Sequence, residues 1–286
     1  AQAHLSIQGG LDARLRSSSG FMPTILCYGD SNTWGFDPDN IGGRFPYDVR
    51  WTTVLAEALG PEFLVIPEGL NARTTVHEDP IGPAFGGYSC NGRSYLQPCL
   101  HSHKPLDLVV LALGTNSLKE HFSLNPQAVA ASVGVLVNDV LTAAGTGRCG
   151  GTPKVLLVGS PLVYETEQSL QWGFKGCAVK SRACLALYKQ IAKDQGVAFV
   201  DCNTYGKVSP KDGIHFDRDS QEALGKGFAE HVKLALGLPS SLALKPERRI
   251  AEDGAALTYE ELRATKGQKR KAEELFDLWV GMTQSI

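Results

Sequence analysis

From Thr24 onward the chain alternates short, almost unbroken apolar runs with longer stretches of helical period, and this rhythm limits the fold more than any single motif. The runs are Thr24–Tyr28, closed by Gly29; Glu62–Ile66; Leu106–Leu113, closed by Gly114; Lys154–Val158; and Val197–Asp201. Between them Arg50–Leu59, Pro126–Ala144, Val179–Gln195 and Ser220–Leu236 repeat apolar residues at helical spacing. A strand that is apolar on both sides must be covered on both faces, as parallel strands are. Alternation of such strands with helices predicts an α/β fold: a three-layer α/β/α sandwich around a central parallel sheet, with right-handed crossovers. No internal repeat is present.

Three segments stand outside the rhythm. Residues 1–21 carry Arg14, Arg16 and the serine run Ser17–Ser19 without an apolar core segment, which argues against a secretory leader. They are set apart as an N-terminal extension, a transit-like stretch or an added tag. Ser160–Gly176 is a long connection carrying Tyr164, Trp172 and Phe174; connections of that length in compact domains are commonly functional, and its aromatics predict a pocket wall. After Pro239 comes a linker-like stretch, then a capping pattern at Thr258 and Glu261, then Ala272, Leu275, Phe276, Trp279 and Met282 at helical spacing. The expected organisation is an extension over 1–21, one main domain over 22–238 and a helical extension over 239–286. The apolar stripe of that extension would pack on its own domain or on a second copy, a homo-oligomer.

Lysine plus arginine total 28 against 30 acidic residues, so the chain lacks the positive footprint of a nucleic-acid binder. No apolar run approaches the roughly 20 residues of a membrane-spanning helix. The seven cysteines are odd in number and include no C-x-x-C pair, which points to reduced thiols in a cytosol-like compartment. Cys99, His101 and His103 form a C-x-H-x-H that lacks a suitably spaced fourth ligand, so neither metal nor organic cofactor is expected.

The residues that suggest chemistry follow the strands, where parallel α/β sheets bind ligands. Ser31 lies in Y-G-D-S-N-T-W-G just after the first strand. Thr33 stands where the G-x-S-x-G elbow has glycine, and the plainer role for Ser31 is a helix cap. Asp212 and His215 form D-G-I-H after the last strand; three residues apart, across a turn eased by Gly213, they can meet. A serine nucleophile needs such a base, and the base needs an anion to hold its tautomer. Asn116, in L-G-T-N after the most apolar strand, offers an amide to a developing oxyanion, and a backbone N–H of Glu68–Thr75 could join it. A surface turn or a cap accounts for each of these singly; their joint placement favours acyl chemistry.

Five blocks in order, G-D-S-N-T-W-G (29–35), R-F-P-Y-D-V-R-W-T (44–52), E-G-L-N-A-R-T-T (68–75), P-L-D-L-V-V-L-A-L-G-T-N (105–116) and D-G-I-H-F (212–216), resemble the SGNH (GDSL) hydrolase superfamily, and most closely its arylesterase/acyltransferase branch. The resemblance runs from about Thr24 to Gly237. It implies a flavodoxin-like SGNH fold, with Ser31 as nucleophile, His215 as base and Asp212 as its orienting anion. It also implies an oxyanion hole from the Ser31 N–H, the Ala72 N–H and the Asn116 side chain. Many members carry glycine at the position of Ala72; a backbone donor makes the side chain immaterial provided φ is negative. Asn32, leucine in the best-known members of the branch, and Trp34 would line the substrate pocket with Trp172 and Phe174. The implied activity is hydrolysis of short acetyl or aryl esters through an acyl-enzyme, with transfer to alcohols or peroxide in some members. A carbohydrate deacetylase and a non-catalytic binding protein are the alternatives.

Overall fold

The computed structural model describes residues 22–81 and 88–241, and the backbone of 248–250, 256–258 and 283–284. Five parallel strands, β1 (Thr24–Gly29), β2 (Leu64–Gly69), β3 (Leu108–Ala112), β4 (Lys154–Val158) and β5 (Ala198–Val200), form one sheet in the order β2-β1-β3-β4-β5. β1 pairs with β2 on one side and β3 on the other, with Gly29 opposite both Gly69 and Ala112. The chain therefore reverses its direction of growth between β1 and β3. In open α/β sheets this switch point leaves a crevice beyond the strand ends.

The α/β sandwich expected from the apolar rhythm is the observed fold. Ile25–Tyr28 and Leu108–Leu111 are wholly buried, as runs apolar on both faces require. The helices are α1 (Ser31–Trp34), α2 (Trp51–Leu59), α3 (Gly92–His103), α4 (Pro126–Leu141), α5 (Glu167–Gln171), α6 (Cys177–Asp194) and α7 (Arg218–Leu236). α2 packs on α7 in one layer; α4 packs on α3 and α6 in the other. Their ends follow local chemistry. Asn125 caps α4 by accepting from the Ala128 N–H at 2.8 Å, with Pro126 in the first turn. Asp217 caps α7 through the Ser220 N–H at 2.8 Å, and Gly237 closes it in the left-handed conformation.

Strand ends differ from the sequence expectation by a few residues, β2 most, because Pro67–Gly69 pair with β1 as far as Gly29. Elements missing from the apolar rhythm include the single turn α1, which begins at Ser31, and α5, inside the long connection 160–176.

The chain divides into two compact units between Leu238 and Pro239. In the second, the described backbone is three short antiparallel strands, β6 (Arg248–Ile250), β7 (Ala256–Thr258) and β8 (Thr283–Gln284), ordered β7-β6-β8. The helix expected over Ala272–Met282 lies outside the described residues. No described helix is long and apolar enough to cross a membrane.

Candidate active site

Three loops leave the carboxyl ends of β1, β2 and β3 and meet a fourth that follows β5. The β1 loop is the shortest. Asp30 caps α1 by accepting from the Asn32 N–H at 3.0 Å, and Ser31 is the first residue of the turn. First-turn N–H groups have no acceptor within the helix, so the Ser31 N–H is free to serve a ligand.

The fourth loop carries D-G-I-H. Asp212 Oδ1 accepts the backbone N–H groups of Ile214 and His215, each at 2.9 Å, and its Oδ2 meets His215 Nδ1 at 2.7 Å. This closed turn requires Gly213 at φ +70°, and a Cβ there would lie 2.2 Å from the Tyr164 carbonyl oxygen. His215 Nε2 lies 2.8 Å from Ser31 Oγ. Asp212, His215 and Ser31 are all buried. Burial pushes the Asp212 carboxyl up, but the His215 hydrogen bond and charge, with the two backbone N–H groups, more than reverse this and hold it below the usual range. An ionised carboxylate only accepts, so His215 Nδ1 carries a proton towards Asp212, which leaves Nε2 as the ring nitrogen that faces the serine hydroxyl.

Ser31, Ala72, Asn116 and His215 line one cavity of about 210 Å³. Asn116 sits in the 3-10 turn Thr115–Leu118 after β3; its Nδ2 donates to the Arg73 carbonyl at 3.1 Å, leaving its second amide hydrogen for a ligand. The β2 and β3 loops are braced by buried hydroxyls: Thr75 Oγ1 lies 3.0 Å from Ser117 Oγ and 2.7 Å from Ser132 Oγ. Arg73 Nη1 donates to the Gly29 carbonyl at 2.8 Å and to the Glu68 carbonyl, tying the ends of β1 and β2 together.

Ala72 has φ +61°, so the negative φ that would have made its side chain immaterial does not hold. The left-handed region brings Cβ close to the following carbonyl and favours glycine.

Of the four pocket residues expected, Trp172 and Phe174 line the cavity. Asn32 and Trp34 do not. Asn32 is turned to the D-G-I-H loop, where its Nδ2 donates to the Ile214 carbonyl (3.2 Å) and its Oδ1 accepts the Phe216 N–H (3.0 Å). It clamps the backbone on either side of His215. Trp34 lies under the Arg44 guanidinium, 4.7 Å from the ring centroid, and its carbonyl accepts from Arg44 Nε at 2.7 Å; it anchors the 37–45 loop. The family resemblance was the signal for both, but neither side chain lines the cavity.

The sequence reading missed Phe36, Asp30 and Lys119. Phe36 stacks on His215, centroids 4.0 Å apart at 21°, and Trp172 meets both rings edge-on. Asp30 is buried, and desolvation raises its carboxyl to about 6 despite the Asn32 N–H, the His215 charge and a Thr115 hydrogen bond. Lys119 reaches the same cavity three residues after Asn116. Periodicity could not have found any of them.

Cys99 and His103 do converge with a third group, Glu68, their ligand atoms lying within 4.8 Å of one another. His103 Nε2 is engaged with Glu68 at 2.9 Å, and burial raises the Cys99 thiol to about 12. His101 lies outside this group.

No curated protein matches the chain. The model of the GDSL-like lipase/acylhydrolase family matches residues 27–223. The solved aryl esterase of M. smegmatis is 42% identical, with a TM-score of 0.68 over 74% of this chain and 99% of its own. A carbohydrate acetylesterase from Sinorhizobium meliloti is 38% identical, TM-score 0.68, again over 74% and 99%. A carbohydrate acetylesterase family member from the same organism is 36% identical, TM-score 0.70, over 76% of this chain and all of its own. With the fold, the switch-point loops and the match over most of its sheet domain in agreement, the chain belongs to the GDSL-like lipase/acylhydrolase family and is a hydrolase of the SGNH fold.

Proposed function

We propose that the protein hydrolyses short-chain acyl esters through an acyl-enzyme on Ser31. The observation that carries this is the unbroken line from Asp212 through His215 to Ser31 Oγ, with links of 2.7 and 2.8 Å, ending in the cavity that Asn116 also lines. Ser31 Oγ attacks the ester carbonyl while His215 Nε2 takes its proton, and Asp212 steadies the imidazolium that forms. The carbonyl oxygen becomes an oxyanion, received by the N–H groups of Ser31 and Ala72 and by the Asn116 amide. The tetrahedral intermediate collapses as His215 returns its proton to the leaving alcohol. Water then attacks the carbonyl carbon of acyl-Ser31, giving a proton to His215, and as this second tetrahedral intermediate collapses His215 returns the proton to Ser31 Oγ and the acid departs. An alcohol in place of that water would give acyl transfer.

The small cavity and its apolar walls favour short acyl groups. Aryl and acetylated-carbohydrate esters are the two candidate classes, after the solved relatives. A fluorophosphonate should label Ser31, located by peptide mass analysis, and neither Ser31→Ala nor His215→Ala should be labelled. Labelling at another residue, or ester hydrolysis that survives Ser31→Ala, overturns the assignment.

A further inference from the structure

We propose that Lys119 is a specificity residue that selects esters carrying an additional neutral oxygen, such as polyol or sugar acetates. This rests on the ester-hydrolase reading and deepens it. Lys119 follows the turn that holds Asn116, and its backbone N–H donates to the Asn116 carbonyl at 3.4 Å. Its side chain is only 2% exposed, yet it lines the cavity between Ser31 and Phe174. Nζ lies 5.9 Å from the Phe174 ring centroid and 2.9 Å from Asp79 Oδ2. The Asp79 side chain is itself buried, and its other oxygen meets His121 Nε2 at 2.9 Å.

The remaining walls of this cavity are chiefly apolar: Phe36, Ile41, Trp172, Phe174 and Ile214. An ammonium carries three N–H donors, and Asp79 accepts one. Among the described residues nothing takes the other two. Buried donors left unpaired are costly, so a substrate oxygen that fills this position gains more than it would in water. Because Asp79 already balances the lysine charge, the matching group is a neutral hydroxyl, ether or carbonyl oxygen rather than a carboxylate. A plain aryl or alkyl acetate supplies none beyond its own ester group.

The test compares the wild type with Lys119→Met and with the charge-free pair Asp79→Asn/Lys119→Met. Substrates are p-nitrophenyl acetate and an acetylated monosaccharide. The ratio of kcat/KM for the sugar ester over the aryl ester should fall roughly tenfold or more in both variants, through the KM of the sugar ester. Lys119→Gln, which keeps a neutral donor, should recover part of the ratio. Equal losses on both substrates, or a loss confined to kcat, would reduce Lys119 to a structural role and overturn the proposal. So would a preference for anionic esters over neutral ones.

Fluorophosphonate titration and melting curves report whether each variant is folded with a competent Ser31. Should the variants not fold, inhibition of the wild type decides: the free sugar should compete with the aryl ester better than an apolar alcohol of equal size, and the reverse order overturns the proposal. A wild type that the fluorophosphonate does not label would instead sink the ester-hydrolase reading itself.

Discussion

At the scale of single residues, the site sets strain and burial against chemistry. Asn116→Ala removes one proposed oxyanion donor and should lower kcat by about 10²–10³-fold, read by steady-state kinetics on p-nitrophenyl acetate; an unchanged kcat would take Asn116 out of the hole. Ala72 holds φ +61°. Ala72→Gly should therefore raise the melting temperature, the relief of roughly 1–2 kcal/mol being partly offset by the greater freedom of glycine in the unfolded chain. A lower melting temperature would mean that the alanine methyl packs better than its backbone suffers. Burial of Asp30 ties stability to pH. Its carboxyl sits at about 6 in the folded chain against 3.8 when unfolded. Between those values the folded state binds more protons, so stability falls as pH rises through this window and is flat above it. The difference across the window is on the order of 3 kcal/mol. Asp30→Asn keeps a good helix cap and should flatten the melting temperature between pH 4 and pH 6 (roughly the span of the shift); an unchanged slope would assign the titration elsewhere.

At the scale of elements, the site depends on how loops are tied to one another. Asn32 joins α1 to the D-G-I-H loop through the Ile214 carbonyl and the Phe216 N–H, and Gln221 of α7 donates to the Asn32 carbonyl at 3.2 Å. Asn32→Ala strands two buried backbone groups at about 1–3 kcal/mol each and loosens His215. It should lower the melting temperature, and reduce kcat with little change in KM. A change in KM alone would return Asn32 to the pocket wall that its sequence position implied. The connection 160–176 is likewise docked rather than loose. Thr166 Oγ1 donates to the Asp212 carbonyl at 2.9 Å, and the Tyr164 N–H donates to the Gly213 carbonyl at 3.0 Å. Its aromatic content was legible in sequence; the helix α5 and the contact that carries Trp172 to His215 were not, because both depend on a partner loop far along the chain.

At the scale of the whole molecule, the family match ends at residue 223, and the two compact units part at Leu238. The solved relatives are covered almost entirely by 74–76% of this chain. We therefore propose that residues 22–238 form the catalytic unit. A chain ending at Leu238 should fold cooperatively and keep its ester hydrolysis, checked by a melting curve and kinetics; failure to fold would make the last 48 residues part of the unit. Light scattering of the two chains reports whether those residues also carry a self-association surface.

The sequence alone determined the layered α/β class, since strands apolar on both faces leave no other way to bury them. It also determined the candidates Ser31, Asp212, His215 and Asn116, since their residue types, order and strand-end positions are local properties of the chain. Tertiary structure decided which side chains face the cavity. Asn32 and Trp34 turn away while Phe36 and Lys119 turn in, and Ala72 is forced to a positive φ. Those outcomes depend on crossovers that set residues 36, 119, 172 and 215 around one cavity, and on the burial and hydrogen bonding found there. No residue's pattern or neighbours in the chain encode such long-range contacts.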